Sequence, residues 1–267
     1  MTVDSEPSLA LSQARRAIAE FPQTGEVTLL MEAVNEVVDI QSGLDLEIPL
    51  PTENERRAID TAADKGIPHL LVYSIGLMSG RALPGAFTRR LSSVGFDKID
   101  RGSLEVKAGW RIIDPRTRQN TLAEYKRDKN YLGKIINRVR RDGDVAALEG
   151  SDMEDLPHSS RRGLIPSEIN AYIIPKAEVL LGMPTGSMRL PTLREAMVLS
   201  LLYEFTPLNA REWQTARLAF YYSDEYPAGL IYSHQPGDGY KYYDVRTQFE
   251  HRRDLVTGFR LIGQIPQ

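Results

Sequence analysis

Residues 189–205 read RLPTLREAMVLSLLYEF, and this stretch decides the fold predicted for the last third of the chain. Thr192 and Glu195 form a T-x-x-E pattern, which is typical of a capping box at the start of a helix. The apolar residues that follow recur at helical spacing. They predict a helix with a broad buried face that ends before Pro207.

The segments on either side of this helix indicate the fold class. A preceding helix is predicted over 167–182, with Ser167 as its N-cap and with Pro175 either kinking or splitting it. Short extended segments rich in aromatic residues follow, separated by turn dipeptides such as Pro236-Gly237. Helices followed by a run of strands are typical of α+β proteins, so residues 164–267 predict a small α+β domain.

The first half of the chain alternates helical and extended patterns. Pro22 and Gly43 are the expected ends of the first two helices, and Thr52 with Glu55 forms another capping box. The predicted helices cover 8–21, 25–40, 53–65 and 84–94, and the predicted extended segments cover 67–75 and 104–113, the latter as one strand or a hairpin. These elements predict a mixed α/β domain over residues 1–143. Residues 144–163, rich in Ser, Asp, Gly and Pro, predict a linker or long surface loop.

Composition excludes several classes of chemistry. The 267 residues include no cysteine, which rules out thiol nucleophiles, thiolate zinc sites and iron–sulfur clusters. A cysteine-free chain without a long apolar stretch indicates a cytoplasmic protein with no membrane partner. The four histidines are scattered and show no helical ligand spacing, so neither a metal nor another cofactor is expected.

A dense basic run between residues 126 and 141 suggests two interpretations. Its cations alternate with apolar residues at helical spacing, which predicts an amphipathic helix ending at Gly143. The candidates for a nucleic-acid contact are Lys126, Arg127, Lys134, Arg138 and Arg141. Six acidic residues follow directly, and the net charge of the chain is −3. Both features disfavour nucleic acid and favour a solvated helix face.

A cluster of tyrosines marks the candidate binding surface. Seven tyrosines lie between residues 221 and 243, mixed with His234 and Asp244. Tyrosine combines apolar area with a polar tip, which suits recognition surfaces. The predicted ligand-binding residues are Tyr222, Tyr232, His234, Tyr240, Tyr242 and Asp244. The expected partner is a small molecule or a protein.

Three short motifs occur in order along the last hundred residues: RLPT-x-x-E at 189–195, N-x-x-E-W at 209–213 and G-F-R at 258–260. Together they resemble the C-terminal core of the formylglycine-generating enzyme family, a branch of the C-type-lectin-like fold. The resemblance covers at most residues 164–267 and implies a small C-type-lectin-like α+β domain there. It does not carry over the family's chemistry, because the catalytic cysteines of that family have no counterpart in this chain.

The same motif residues have a structural interpretation. Arg189 and Glu195 are expected to pair, and Trp213 and Phe259 are expected in the core. Arg260, which alternates with Phe259 on a strand, is expected to be buried against a carboxylate such as that of Glu212.

The function predicted from the sequence is a non-catalytic ligand- or protein-binding module with a tyrosine-rich surface. The first alternative is an enzyme of unrecognised type that uses polar groups of the terminal third, namely His234, Asp238, Asp244, His251, Arg252 and Arg253. No nucleophile–base motif, P-loop or zinc motif supports that alternative. The second alternative is nucleic-acid binding through the basic helix at 126–141.

Overall fold

A computed structural model describes part of the chain: residues 9–76, 106–114, 131–145, 157–161, 163–191, 195, 198–199, 202–203, 228–234, 241–247, 259 and 261–265. The strands at 228–234 and 241–247 are described by their backbone. The predicted helix at 84–94 lies outside these residues, as do Trp213, Glu212 and Arg260.

Two helices begin the described chain. Helix α1, Leu9–Thr24, buries Leu11, Ala14, Ile18 and Phe21 on one face. The prediction that Pro22 ends this helix is wrong. Pro22 cannot donate a helical hydrogen bond, but the turn after it still forms, since Gly25 N–H binds Phe21 O at 2.8 Å.

Helices α2 and α3 have the predicted ends. Helix α2, Val27–Ser42, stops at Gly43, whose φ of 64° is left-handed and whose N–H binds Asp39 O. Helix α3, Glu53–Asp64, begins with the predicted capping box. Thr52 Oγ1 accepts from Glu55 N–H, and Glu55 Oε2 accepts from Thr52 N–H at 2.7 Å.

The main sheet is antiparallel throughout. Its strands lie in the order β1-β2-β6-β3, and a separate hairpin pairs β4 with β5. The strands are β1 Leu70–Ser74, β2 Gly109–Ile113, β3 Met188–Arg189, β4 Ala228–His234, β5 Lys241–Thr247 and β6 Ile262–Gly263. Helices together with an antiparallel sheet make the protein α+β, as predicted.

The main sheet joins strands from both sides of the predicted linker. Strand β2 belongs to the predicted first domain and pairs with β6 from the last residues of the chain. Val72, Ile112 and Ile262 are all buried in the same core. The division of the chain at residues 144–163 stays a prediction, but any boundary there would cut through this sheet.

The helix predicted over 167–182 contains a π-helical turn. It consists of α5 Pro166–Glu168, a π-helical turn Ile169–Ile173 and α6 Ile174–Leu181. Ile174 N–H binds Ile169 O, five residues back, and this wider turn lets the chain continue through Pro175. The helix begins at Pro166, so the prediction that Ser167 is the N-cap is wrong.

Between them, the basic run and the RLPT stretch supply two further helical elements. Helix α4, Tyr131–Arg141, has the amphipathic pattern predicted for the basic run. Residues 195, 198, 199, 202 and 203 are helical and buried, which confirms the buried face predicted after RLPT. None of the helices that the structure describes is long and apolar enough to cross a membrane.

The Tyr203 side chain hydrogen-bonds to the outer edge of strand β1. Its hydroxyl donates to Tyr73 O at 2.8 Å and accepts from Tyr73 N–H at 3.0 Å. A strand at the edge of a sheet leaves such groups without a neighbouring strand. A side chain from the RLPT helix therefore satisfies one residue of that edge.

The Tyr203→Phe variant tests this contact. We expect the free energy of unfolding at pH 7 to fall by about 1–3 kcal/mol, because a buried N–H and C=O lose their partner. Burial raises the pKa of the Tyr203 phenol above its ordinary value of 10.0. A raised pKa means that the stability Tyr203 provides is complete below pH 10 and is lost as the pH rises above it.

Urea unfolding at pH 7, 9 and 11 measures both effects. The difference in the free energy of unfolding between wild type and Tyr203→Phe should be largest at pH 7 and smaller at pH 11. A difference that stays constant over this range would contradict the assignment. Tyr73, whose pKa is also raised by burial, is present in both proteins and cancels in the comparison.

Candidate functional site

The tyrosine-rich segment contains a regular β-hairpin. Strands β4 and β5 pair over seven residues each, with Tyr232 directly opposite Tyr243, Ser233 opposite Tyr242 and His234 opposite Lys241. Directly opposed residues of an antiparallel pair occupy the same face of the hairpin, and faces alternate along each strand. The register therefore assigns each residue of the hairpin to one of two faces.

The predicted ligand-binding residues do not share one face. Tyr232 and His234 occupy positions on the first face, whereas Tyr242 and Asp244 occupy positions on the second. Tyr222 and Tyr240 lie outside the described residues. The register thus divides the predicted set into two pairs.

Two further residues join the first face. Tyr243 and Lys241, which were not assigned to the site, are opposite Tyr232 and His234. The turn dipeptides at 236–239 are the sequence signal that could have identified Tyr243 and Lys241. If the turn of a hairpin is centred on these residues, its position determines which residues of the two strands are opposite each other. The first face then holds two tyrosines, a histidine and a lysine at neighbouring positions.

The groups suggested for an enzyme are only partly described. His234 and Asp244 occupy positions on opposite faces of the hairpin, so the register does not bring this acid–base pair together. Asp238, His251, Arg252 and Arg253 lie outside the described residues.

A buried ionic network joins the RLPT stretch to the main sheet. Arg189 binds Glu195 through both guanidinium nitrogens, at 2.7 and 3.0 Å, which confirms the predicted pair. Arg111, on β2, binds the same carboxylate through Nε at 2.6 Å. The exposed fractions of the Arg111 and Glu195 side chains are only 1% and 2%. Arg111 was not predicted to belong to this network.

The carboxyl group of Glu195 is held in its charged form. Burial is the largest influence and acts to raise its pKa, but the hydrogen bonds and charges of Arg189 and Arg111 together outweigh it. The pKa of Glu195 is therefore lower than usual. A carboxylate held charged between two guanidinium groups is poorly suited to exchange protons near neutral pH.

A second buried ion pair lies at the end of β2. Arg161 Nη2 binds Asp114 Oδ2 at 3.2 Å, and Arg161 Nη1 donates to Phe259 O at 3.1 Å. Phe259 is fully buried, as predicted for the G-F-R motif, and the Arg161 guanidinium lies 5.9 Å from its ring centre. Arg161 belongs to the predicted linker, yet it connects two segments of the core.

Helix α4 has both exposed and buried cationic side chains. Lys134, Arg138 and Arg141 are exposed, whereas Lys126 and Arg127 lie outside the described residues. Arg140 is buried and donates through Nη1 to the carbonyl oxygens of His158 and Ser160 at 2.8 and 2.7 Å. One arginine of the run is therefore structural.

The described histidines are dispersed. His69 is buried beside Tyr131, with its Nε2 3.3 Å from the tyrosine hydroxyl, and His158 is exposed. Within the part of the chain that the structure describes, no group of three or more His, Asp or Glu side chains is placed to hold a metal ion.

Comparisons with known proteins add no relative to this description. No protein-family model, no curated protein and no solved structure matches the chain. The resemblance of residues 164–267 to the formylglycine-generating enzyme family therefore stays a prediction from three motifs.

Proposed function

We propose that the protein is a non-catalytic binding module that recognises a ligand or another protein through the first face of the β4–β5 hairpin. The observation that carries the proposal is the register, with Tyr232 opposite Tyr243 and His234 opposite Lys241. Tyrosines at opposed positions offer apolar area and hydroxyl groups at low cost in side-chain entropy. The neighbouring histidine and lysine add polar specificity beside them.

The buried charges of the main sheet support a non-catalytic role. Glu195 and Asp114 are each bound by arginine side chains that connect distant segments. Their arrangement stabilises the fold and leaves recognition to the hairpin. As part of the proposal, residues 164–267 are a degenerate C-type-lectin-like unit whose strands β3 and β6 share the main sheet with β1 and β2. The pairing of β3, which contains Arg189, with β6, which follows the G-F-R motif, supports this part.

Two double variants test which face binds. Peptides of twelve residues are selected from a displayed random library against the wild-type protein, and their dissociation constants are measured by titration calorimetry. Tyr232→Ser/Tyr243→Ser should weaken binding at least tenfold, because aromatic anchors dominate binding energy.

The matched control is Tyr242→Ser/Asp244→Ser, which alters the second face and should change the affinity less than threefold. Urea unfolding of both variants establishes that the fold is retained. If the selected peptides bind all three proteins equally, or if the control loses more affinity than the test variant, the proposal is wrong.

A further inference from the structure

The exposed face of helix α4 carries three cations in one line. Lys134, Arg138 and Arg141 are all exposed and are spaced at i, i+4 and i+7. At 3.6 residues per turn they lie within about 60° of one another and span about 10 Å along the helix axis. We call these three residues the cationic stripe.

The acidic residues described near the stripe neutralise little of its charge. Arg138 Nε lies 3.6 Å from Asp142 Oδ2, and the two side chains are 79% and 51% exposed. An ion pair this long and this exposed contributes little. The next acid, Asp144, binds Lys176 Nζ at 2.8 Å and faces a different cation.

The helix dipole does not account for the whole stripe. It favours cations in the last turn, where Arg138 and Arg141 lie. Lys134 lies two turns before the end of the helix, and this effect fades within one turn. The dipole therefore accounts for two of the three cations of the stripe.

The face of helix α4 opposite the stripe is packed into the core and holds the helix in place. Leu132, Ile136 and Val139 on the opposite face are fully buried. The inward-pointing Arg140 binds the carbonyl oxygens of His158 and Ser160. A fixed helix loses little conformational freedom when a partner binds to it.

The chemistry of this face selects one class of partner. A membrane-surface helix places apolar side chains in the lipid beside its cations, whereas the apolar side chains of α4 are buried in the core. A protein interface needs central apolar or aromatic anchors, and the exposed residues of α4 are all charged. A nucleic-acid backbone needs cations alone.

We propose that the cationic stripe binds the phosphate backbone of nucleic acid without reading its sequence. One strand of a duplex presents a phosphate about every 3.4 Å along the axis, so a stripe of about 10 Å faces about three phosphates. This differs from the expectation drawn from net charge, because the local field of a helix face acts on a partner more directly than the total charge of the chain. It is independent of the function proposed for the hairpin.

Fluorescence anisotropy with a labelled 20-nucleotide oligothymidine and a labelled 20-base-pair duplex tests the proposal between 20 and 200 mM KCl. Lys134→Gln/Arg138→Gln/Arg141→Gln should weaken binding at 20 mM KCl at least tenfold. The slope of log affinity against log salt should become shallower by about 2–3, since three phosphate contacts are lost. Circular dichroism of the variant establishes that its fold is retained.

The matched control is Arg16→Gln/Arg56→Gln/Arg57→Gln, which removes the same charge from exposed positions on α1 and α3. It should change affinity less than threefold. Equal losses in the two triple variants would mean that only total charge matters, and would overturn the proposal. Absence of binding to both oligonucleotides at 20 mM KCl would also overturn it. So would binding to phosphatidylserine vesicles through the stripe without binding to either oligonucleotide.

Discussion

Replacing Glu195 with Gln is expected to lower the free energy of unfolding by about 3–5 kcal/mol at pH 7, because it leaves the buried guanidinium of Arg111 without its counter-charge. The Arg111 side chain is 1% exposed, and its Nε binds Glu195 at 2.6 Å. Glutamine keeps the shape of the side chain but removes the charge and replaces one acceptor oxygen with an NH2 donor. The loss therefore measures the ionic hydrogen bonds of Glu195 rather than packing, and urea unfolding gives its size.

An exposed pair provides the matched control for Glu195→Gln. Arg16 binds Glu20 at 2.7 Å, nearly the same distance, but the Arg16 and Glu20 side chains are 79% and 52% exposed. Glu20→Gln should leave the free energy of unfolding close to that of the wild type, as for most surface substitutions. Similar losses in the two variants would show that burial does not strengthen the Glu195 network.

The pH dependence separates the charge of Glu195 from other effects of the substitution. Its pKa is lower in the folded protein than the ordinary 4.5, so its contribution is complete above that pH and is lost as the pH falls through the lower, folded value. Glutamine resembles the protonated form. The difference in the free energy of unfolding between wild type and Glu195→Gln should therefore be constant from pH 6 to 8 and should become smaller below pH 4.5.

Local signals predicted two helix ends correctly, at Gly43 and at Thr52. The capping box at Thr52 and Glu55 involves four consecutive residues, and Gly43 ends α2 through its own backbone conformation. Pro22 misled the prediction, because the residue type alone does not decide how a proline affects a helix. At Pro22 the helix continues because the next turn keeps its hydrogen bond. At Pro175 it continues because the chain widens into a π-helical turn just before the proline.

Contacts between distant residues mark the limit of prediction. Arg189 and Glu195 are six residues apart and flank one turn, so their pairing followed from local geometry. Arg111 lies 84 residues from Glu195, and nothing in an extended segment identifies the partner of a buried cation. The partner is set by the order of the main sheet, in which β6 pairs with both β2 and β3, and the RLPT stretch that contains Glu195 continues from β3.

The candidate site shows the same limit. Composition located the tyrosines, but alternation along the strands divides the predicted residues between two faces. A shift of one residue in the register would exchange the faces, so the grouping of Tyr232 with Tyr243 depends on where the turn is centred. On α4, spacing at i, i+4 and i+7 was visible in the sequence. Which cations face outward became clear only once the inward contact of Arg140 was known.

Replacing Arg161 with Met is the second large effect, and it tests whether residues 157–161 belong to the core. Arg161 is 1% exposed and connects Asp114 on one segment with the carbonyl oxygen of Phe259 on another. Removing it leaves the Asp114 carboxylate buried without this guanidinium. We expect the free energy of unfolding to fall by about 3–5 kcal/mol. Arg138→Met, at an exposed arginine that lies 3.6 Å from Asp142, should change it by less than about 0.5 kcal/mol.

A double variant identifies the cause of the loss. In Asp114→Asn/Arg161→Met the buried negative charge is also removed. The double variant should be more stable than Arg161→Met alone by about 1–2 kcal/mol, because the cost of burying the Asp114 charge without the Arg161 guanidinium disappears. A double variant that is less stable than the single one would show that Asp114 stabilises the fold through other contacts. If Arg161→Met lowered the free energy of unfolding only slightly, residues 157–161 would contribute little to the core, as expected of a linker. A large loss with partial recovery means that the Arg161–Asp114 charge pair is part of what holds this segment in the core.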